Sequence, residues 1–180
     1  MIRLESERLI IRDHIESDLE NHHSLISDIE VMTYIQDIMT NSLDQSKENL
    51  EFSIKESRSS DRRCYFFLVE LKKTKEFVGS IGFTITEQNK FGGLAEIGYF
   101  ILKKHWGNGY VTEAARLVID YIFNEMNLHK IYSGCNVDNI ASENIMKKLG
   151  MKKEGHLKSH ICHNGMWKDR VLYGKIKKTV

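Results

Sequence analysis

Residues 95–114 read AEIGYFILKKHWGNGYVTEA. From Val111 the apolar residues Ala114, Ala115, Val118 and Ile122 fall at i+3, i+4, i+7 and i+11. This stripe of period 3.6 predicts an amphipathic helix that runs until Asn127 offers a stop. Ahead of it, Ile97, Tyr99 and Ile101 alternate with Gly98, Phe100 and Leu102. A run this apolar on both parities suits a strand covered on both faces. Between strand and helix lies HWGNGY, where Gly107 and Gly109 permit positive φ and the close approach of a ligand. The first-turn N–H groups of the helix have no intrahelical partner, and its dipole favours an anion. A phosphate or pyrophosphate is the expected ligand, although the same residues also read as a plain tight turn. No G-x-x-x-x-G-K-[ST] loop occurs, and this G-x-G lacks the third glycine of the dinucleotide fingerprint.

Outward from this stretch, alternation and turn signals predict strands at 9–13, 64–71, 77–86, 131–137, 151–162 and 167–176. Ser17-Asp18-Leu19-Glu20 reads as a capping box opening one helix, and Ser42-Leu43-Asp44-Gln45 opens another reaching about Ser57. Asn139 or Asp138 caps a helix ending at Leu149-Gly150, and Asn164-Gly165 turns a closing hairpin. The order implies a mixed α/β (α+β) fold. At 180 residues and 41% hydrophobic content, one domain spanning 1–180 is expected. The chain has no proline, and all twelve glycines lie at or after Gly79. A helical first section is therefore expected to lead into a sheet-rich one.

The longest apolar run, Tyr65 to Val69, cannot span a bilayer, and MIRLESERL has no signal core. Cys64, Cys135 and Cys162 lack C-x-x-C spacing, so free thiols and a cytoplasmic location are expected. A net charge of +1 without a basic-aromatic patch argues against nucleic acid. Residues 16–58 hold ten acids and three bases, a net of −7 that suits a cationic partner or, equally, ordinary solvated helix faces. His156, His160, Cys162 and His163 crowd the last hairpin without a complementary ligand set elsewhere, so no metal is expected.

The loop resembles that of the GCN5-related N-acetyltransferases (GNAT), which reads Arg/Gln-x-x-Gly-x-Gly/Ala at a helix start. In this chain Trp106-Gly107-Asn108-Gly109-Tyr110-Val111 occupies the window; Gly109 matches, and Trp106 and Val111 depart. Those departures resemble the RimJ/RimL branch, where WGxGY is followed by T-E-A. Leu4 to Arg12, reading LESERLIIR, resembles that branch's opening, and Asn136 to Asn144, Leu149-Gly150-Met151 and Glu154-Gly155 extend the likeness. The resemblance implies a mostly antiparallel central sheet flanked by helices, with strands splayed in a V at the acetyl-CoA site. It assigns about 1–60 to the acceptor side, 64–150 to the acetyl-CoA-binding core and 151–176 to the closing hairpin.

Its implied chemistry is transfer of acetyl from acetyl-CoA to a primary amine, by direct attack in a ternary complex. Glu96 is the candidate base: it interrupts an apolar strand, where a carboxylate is costly unless paired, solvated or used. Ser142 is the candidate acid, in an Asn139-x-x-Ser142 pattern whose asparagine contacts pantetheine in the resemblance; a plain N-cap explains the same residues. Tyr173 matches the acid role less well. Asn144 is expected to join those contacts. The resemblance further implies pantetheine pairing along Phe100, Ile101 and Leu102. It implies pyrophosphate binding at Trp106, Gly107, Asn108, Gly109, Tyr110 and Val111, with Lys103, Lys104, Lys147 and Lys148 available to the 3′-phosphate. The acceptor is the α-amine of a protein N-terminus, or else a polyamine or aminoglycoside-like amine. A non-catalytic acyl-CoA sensor is the reading from another class. A monomer or homodimer is expected, an exposed last strand being able to pair between copies.

Overall fold

The structure, a computed structural model, describes residues 1–178. In chain order it contains β1 (Arg3–Glu5), β2 (Leu9–Asp13), α1 (Leu19–Ile26), α2 (Leu43–Arg58), β3 (Cys64–Leu71), β4 (Phe77–Asn89), β5 (Gly92–Ile101), α3 (Tyr110–Asn124), β6 (Lys130–Asn136), α4 (Ile140–Lys148), β7 (Lys152–His163) and β8 (Met166–Ile176). The strands form one open, mixed sheet in the order β1-β2-β3-β4-β5-β6-β8-β7, the α/β architecture expected. β5 and β6 are parallel, in register through Leu94↔Lys130, Ala95↔Ile131 and Glu96↔Tyr132. β1–β2, β2–β3, β3–β4, β6–β8 and β7–β8 are antiparallel. Among the described residues no helix is long and apolar enough to cross a membrane. The chain divides into two compact units, residues 1–84 with 98–118 and residues 85–97 with 119–180.

In the first unit, Leu9, Ile10 and Ile11 are all buried, as a strand covered on both faces demands. Leu25, Ile26, Met32, Leu68 and Phe77 form a core cluster, with Val31, Ile35, Met39, Phe100 and Leu102 packed against it. The expected capping box at Ser17 does not form. The Asp18 carboxylate instead receives both terminal nitrogens of Arg12 at 2.8 Å and the Ile15 N–H at 2.8 Å. A 3-10 turn, Glu16–Asp18, therefore precedes α1. A charge-assisted bidentate pair outweighs a cap of about 1 kcal/mol, which is why the local motif loses. At α2 the Ser42 hydroxyl does accept from the Gln45 N–H, while the Gln45 side chain reaches the Asn41 N–H.

Near the start of α1, His14 and His22 are buried edge to face, with ring centroids 5.2 Å apart. Nε2 of His22 lies 2.9 Å from Asn49 Oδ1, and its Nδ1 is buried without a partner. Burial, reinforced by neighbouring His14, lowers the His22 pKa to about 4. The unfolded chain binds this proton near pH 6.5 and the folded chain only near 4, so stability falls as pH drops through that window. The thermal midpoint of the wild type should decline from pH 6.5 to 4, and His22→Gln, which cannot charge, should flatten that part of the profile.

In the second unit, Asn164 (φ +50°) and Gly165 (φ +72°) make the turn joining β7 to β8, as Asn-Gly predicts. The expectation of an exposed last strand is corrected: β8 lies between β6 and β7, and β7 is the edge. That edge is interrupted by a register shift between Leu157 and Ile161, where Ser159 takes φ +46°. Asp169 holds the irregularity, accepting from the Ser159 N–H at 2.9 Å and lying 2.7 Å from His156 Nε2. A kinked edge is a poor template for pairing with another chain. Cys64, Cys135 and Cys162 are free.

Candidate active site

In the first unit, the loop at 106–111 has the geometry that an anion requires. Gly107 and Gly109 take φ of +78° and +77°, and a Cβ on Gly107 would meet nothing within 4 Å. Its backbone is therefore open to an incoming group, while the backbone conformation would strain any side chain. The first bond of α3 runs from the Glu113 N–H to the Gly109 carbonyl, 3.1 Å. The N–H groups of Tyr110, Val111 and Thr112 lie ahead of it, at the positive end of a 15-residue helix. These residues fit a pyrophosphate. Trp106 is 51% exposed, so it does not fill the core, and its indole N–H donates to the Ile101 carbonyl at 3.0 Å. The Leu102 N–H is spent on the Val78 carbonyl, so pantetheine pairing along Phe100 to Leu102 depends on the remaining backbone groups.

In the second unit, Glu96 sits on central strand β5, and its Oε1 accepts from Arg170 on β8 at 3.1 Å. Register explains the meeting. Glu96 is opposite Tyr132, Tyr132 is opposite Gly174, and Asn136 is opposite Arg170, so these residues share one face of the sheet. A Cβ on Gly134 would come within 2.7 Å of Arg170 Nε, so only glycine leaves the guanidinium its path along β6. Cys135 and Tyr173 alternate to the opposite face, which α4 serves. There the Asn139 side chain accepts from the Ser142 N–H at 3.1 Å and caps α4. Burial pushes the Cys135 thiol up, and a hydrogen bond with Ser142 opposes it. Asn139 and Ser142 are thus brought together, Asn144 lies exposed on the same helix, and Glu96 is on the other face.

A family model described as an acetyltransferase (GNAT) domain matches residues 8–152. The chain belongs to the GNAT acetyltransferases. An uncharacterized N-acetyltransferase of Bacillus subtilis, YoaA, is 32% identical over 174 residues, covering 97% of this chain and 96% of its own. An Escherichia coli ribosomal protein uS5 alanine N-acetyltransferase is 29% identical over 119 residues, 66% of this chain and 60% of its own. The solved structure of a Vibrio cholerae spermidine N-acetyltransferase, in complex with CoA and spermine, superposes with a TM-score of 0.82. It is 26% identical and covers 96% of this chain and 97% of its own. The protein is an N-acetyltransferase.

Several groups around this acetyltransferase's candidate residues carry no sequence signal. Arg170 lies 74 positions from Glu96, and nothing local announces the pair. The Tyr173 hydroxyl donates to Glu143 at 2.6 Å, next to Ser142 in the chain, and that bond pushes the tyrosine pKa up. Lys147 also pairs with Glu143, at 3.0 Å. Lys103 pairs with Glu30 and Lys104 with Glu76, so three of the four lysines considered for a phosphate are engaged by acids. The Ser6, Arg8 and Glu113 side chains meet across more than 100 residues. Their signal was present as two separate motifs, S-E-R and T-E-A, without anything to join them.

Proposed function

We propose that this acetyltransferase acetylates the α-amine of a protein or peptide N-terminus, using acetyl-CoA in a ternary complex. The observation that carries this reading is the Arg170 guanidinium, 3.1 Å from Glu96 on the same sheet face. A peptide N-terminus offers one ammonium group to the carboxylate and carbonyl oxygens that accept from arginine N–H groups. A polyamine brings only further positive charge against Arg170. The acidic section favours a polyamine by its total of −7, but many of its acids are engaged. Asp18 is bound by Arg12, Glu16 by Arg58 and Glu30 by Lys103, and Glu56 accepts the N–H groups of Arg63 and Cys64. The motifs shared with the RimJ/RimL branch, and the uS5-alanine relative, support the peptide reading.

Acetyl-CoA, when bound, supplies the acetyl thioester. The N–H groups of Gly107 through Val111 would hold the pyrophosphate, and Phe100, Ile101 and Leu102 would line the pantetheine in the first unit; Asn139 and Asn144 are the second unit's candidates for pantetheine contact. Glu96 takes the proton from the acceptor ammonium through Oε2, directly or by one water, while Arg170 fixes the carboxylate through Oε1. Ser142 Oγ, on the opposite face of the sheet from Glu96, is the candidate to protonate the departing thiolate, through water where the thioester lies nearer Glu96. Free-thiol release, measured with acetyl-CoA across N-terminal peptides, polyamines and aminoglycosides, tests the reading. Peptide-dependent release should exceed that with any polyamine, and Arg170→Gln should narrow the gap. Release driven by spermidine alone would sink the peptide reading.

A further inference from the structure

We propose that Arg8 and Ser6 are positioning residues that mask the negative charge of Glu113, and so let the N-terminus of α3 accept an anion. The inference deepens the proposed pyrophosphate binding at this loop and rests on it. Glu113 stands in the first turn of α3, where a carboxylate stabilises an empty helix by satisfying its dipole. Beneath a phosphate site the same charge is adverse, because it repels the ligand from the N–H groups meant to bind it. In this chain the carboxylate is already engaged by Ser6 and Arg8. Ser6 Oγ donates to Oε1 at 2.6 Å, Arg8 Nε donates to Oε2 at 2.7 Å, and Arg8 Nη2 lies 2.6 Å from Oε2. The Arg8 backbone N–H adds a further bond to Oε1 at 3.2 Å.

Arg8 then reaches the loop itself. Its Nη1 donates to the Asn108 carbonyl at 3.2 Å, and its guanidinium lies over the Tyr110 ring, 4.8 Å from the centroid. Arg8 Nη2 is 3.7 Å from where a Gly109 Cβ would stand. With the Asn108 carbonyl drawn toward Arg8, the following N–H groups remain for the ligand. The arrangement therefore sets two quantities, the direction of the loop's donors and the net charge beneath them. The Arg8 and Glu113 charges sum to zero in the wild type, −1 without Arg8, +1 without Glu113 and zero again without both.

Charge masking and simple bracing predict different orders of affinity, which isothermal titration of coenzyme A into wild type, Arg8→Ala, Glu113→Gln and the double variant would separate. Under masking, Arg8→Ala weakens binding about three- to tenfold at low salt. Glu113→Gln then binds as tightly as wild type or tighter, and adding it to Arg8→Ala restores affinity. The spread among variants shrinks as salt rises, because the masked charge is screened. If Glu113→Gln weakens binding as Arg8→Ala does, or fails to rescue it, the triad is only a brace and the proposal is wrong. Glu113→Gln alone decides the sign should Arg8→Ala not fold. A wild type that binds no coenzyme A would overturn the underlying loop assignment instead, a result distinct from a failed rescue.

Discussion

Glu96→Gln should lower the turnover number for acetyl transfer by about 10²- to 10⁴-fold while leaving the affinity for coenzyme A within about twofold of wild type. The amide keeps the size and polarity of the side chain, and its oxygen can still accept from Arg170, so the sheet face built around Gly134, Glu96 and Arg170 is retained. What is lost is the capacity to take a proton. The phosphate-binding loop is carried by residues 106–111, and none of the hydrogen bonds that shape it passes through Glu96. Rapid-quench or thiol-release kinetics, paired with titration of coenzyme A, read the two quantities independently. Because the amine must be deprotonated before it attacks, raising the pH should recover part of the lost rate for an acceptor whose own pKa is near 8. Turnover unchanged in Glu96→Gln would remove the base assignment and leave Glu96 as a structural partner of Arg170.

The parts of this outcome that could be read in advance are those carried by local periodicity. The helix beginning near Val111 and the strand before it were legible because the stripe of Ala114, Ala115, Val118 and Ile122 lies within one element, and all four are buried. Asn139 was legible as a cap for the same reason, its partner being three residues away. Ser17-Asp18 misled because the pull on Asp18 comes from Arg12 on β2, a contact no cap motif contains. The order β6-β8-β7 was likewise out of reach, since alternation says which residues are strands and not which strands are neighbours. The same limit hid Arg170 beside Glu96 and Arg8 beside Glu113. Each candidate residue stood in its motif, but the group that orients it or neutralises it arrives from far along the chain, Arg170 on β8 and Arg8 in the bend between β1 and β2.

Arg62→Met is the substitution with the largest expected effect on stability, a loss of about 3–5 kcal/mol. The Asp13 side chain is fully buried and Arg62 is 7% exposed, and the two are 2.7 Å apart. Arg62 also donates to the Cys64 carbonyl and lies over Tyr65 and Phe67, 4.2 and 5.5 Å from the ring centroids. Methionine can occupy the apolar part of that space but leaves the carboxylate with the Ile2 N–H as its remaining donor. A buried charge stripped of its counter-ion is far more costly than the intact pair is favourable, so the damage is dominated by what remains. Asp13→Asn added to Arg62→Met should therefore recover a substantial share of the loss, since an amide carries no charge to strand. Urea unfolding of the four proteins measures the coupling directly. Strictly additive losses would mean that Arg62 acts through its packing on Tyr65 and Phe67, and that the ion pair contributes little beyond filling its site.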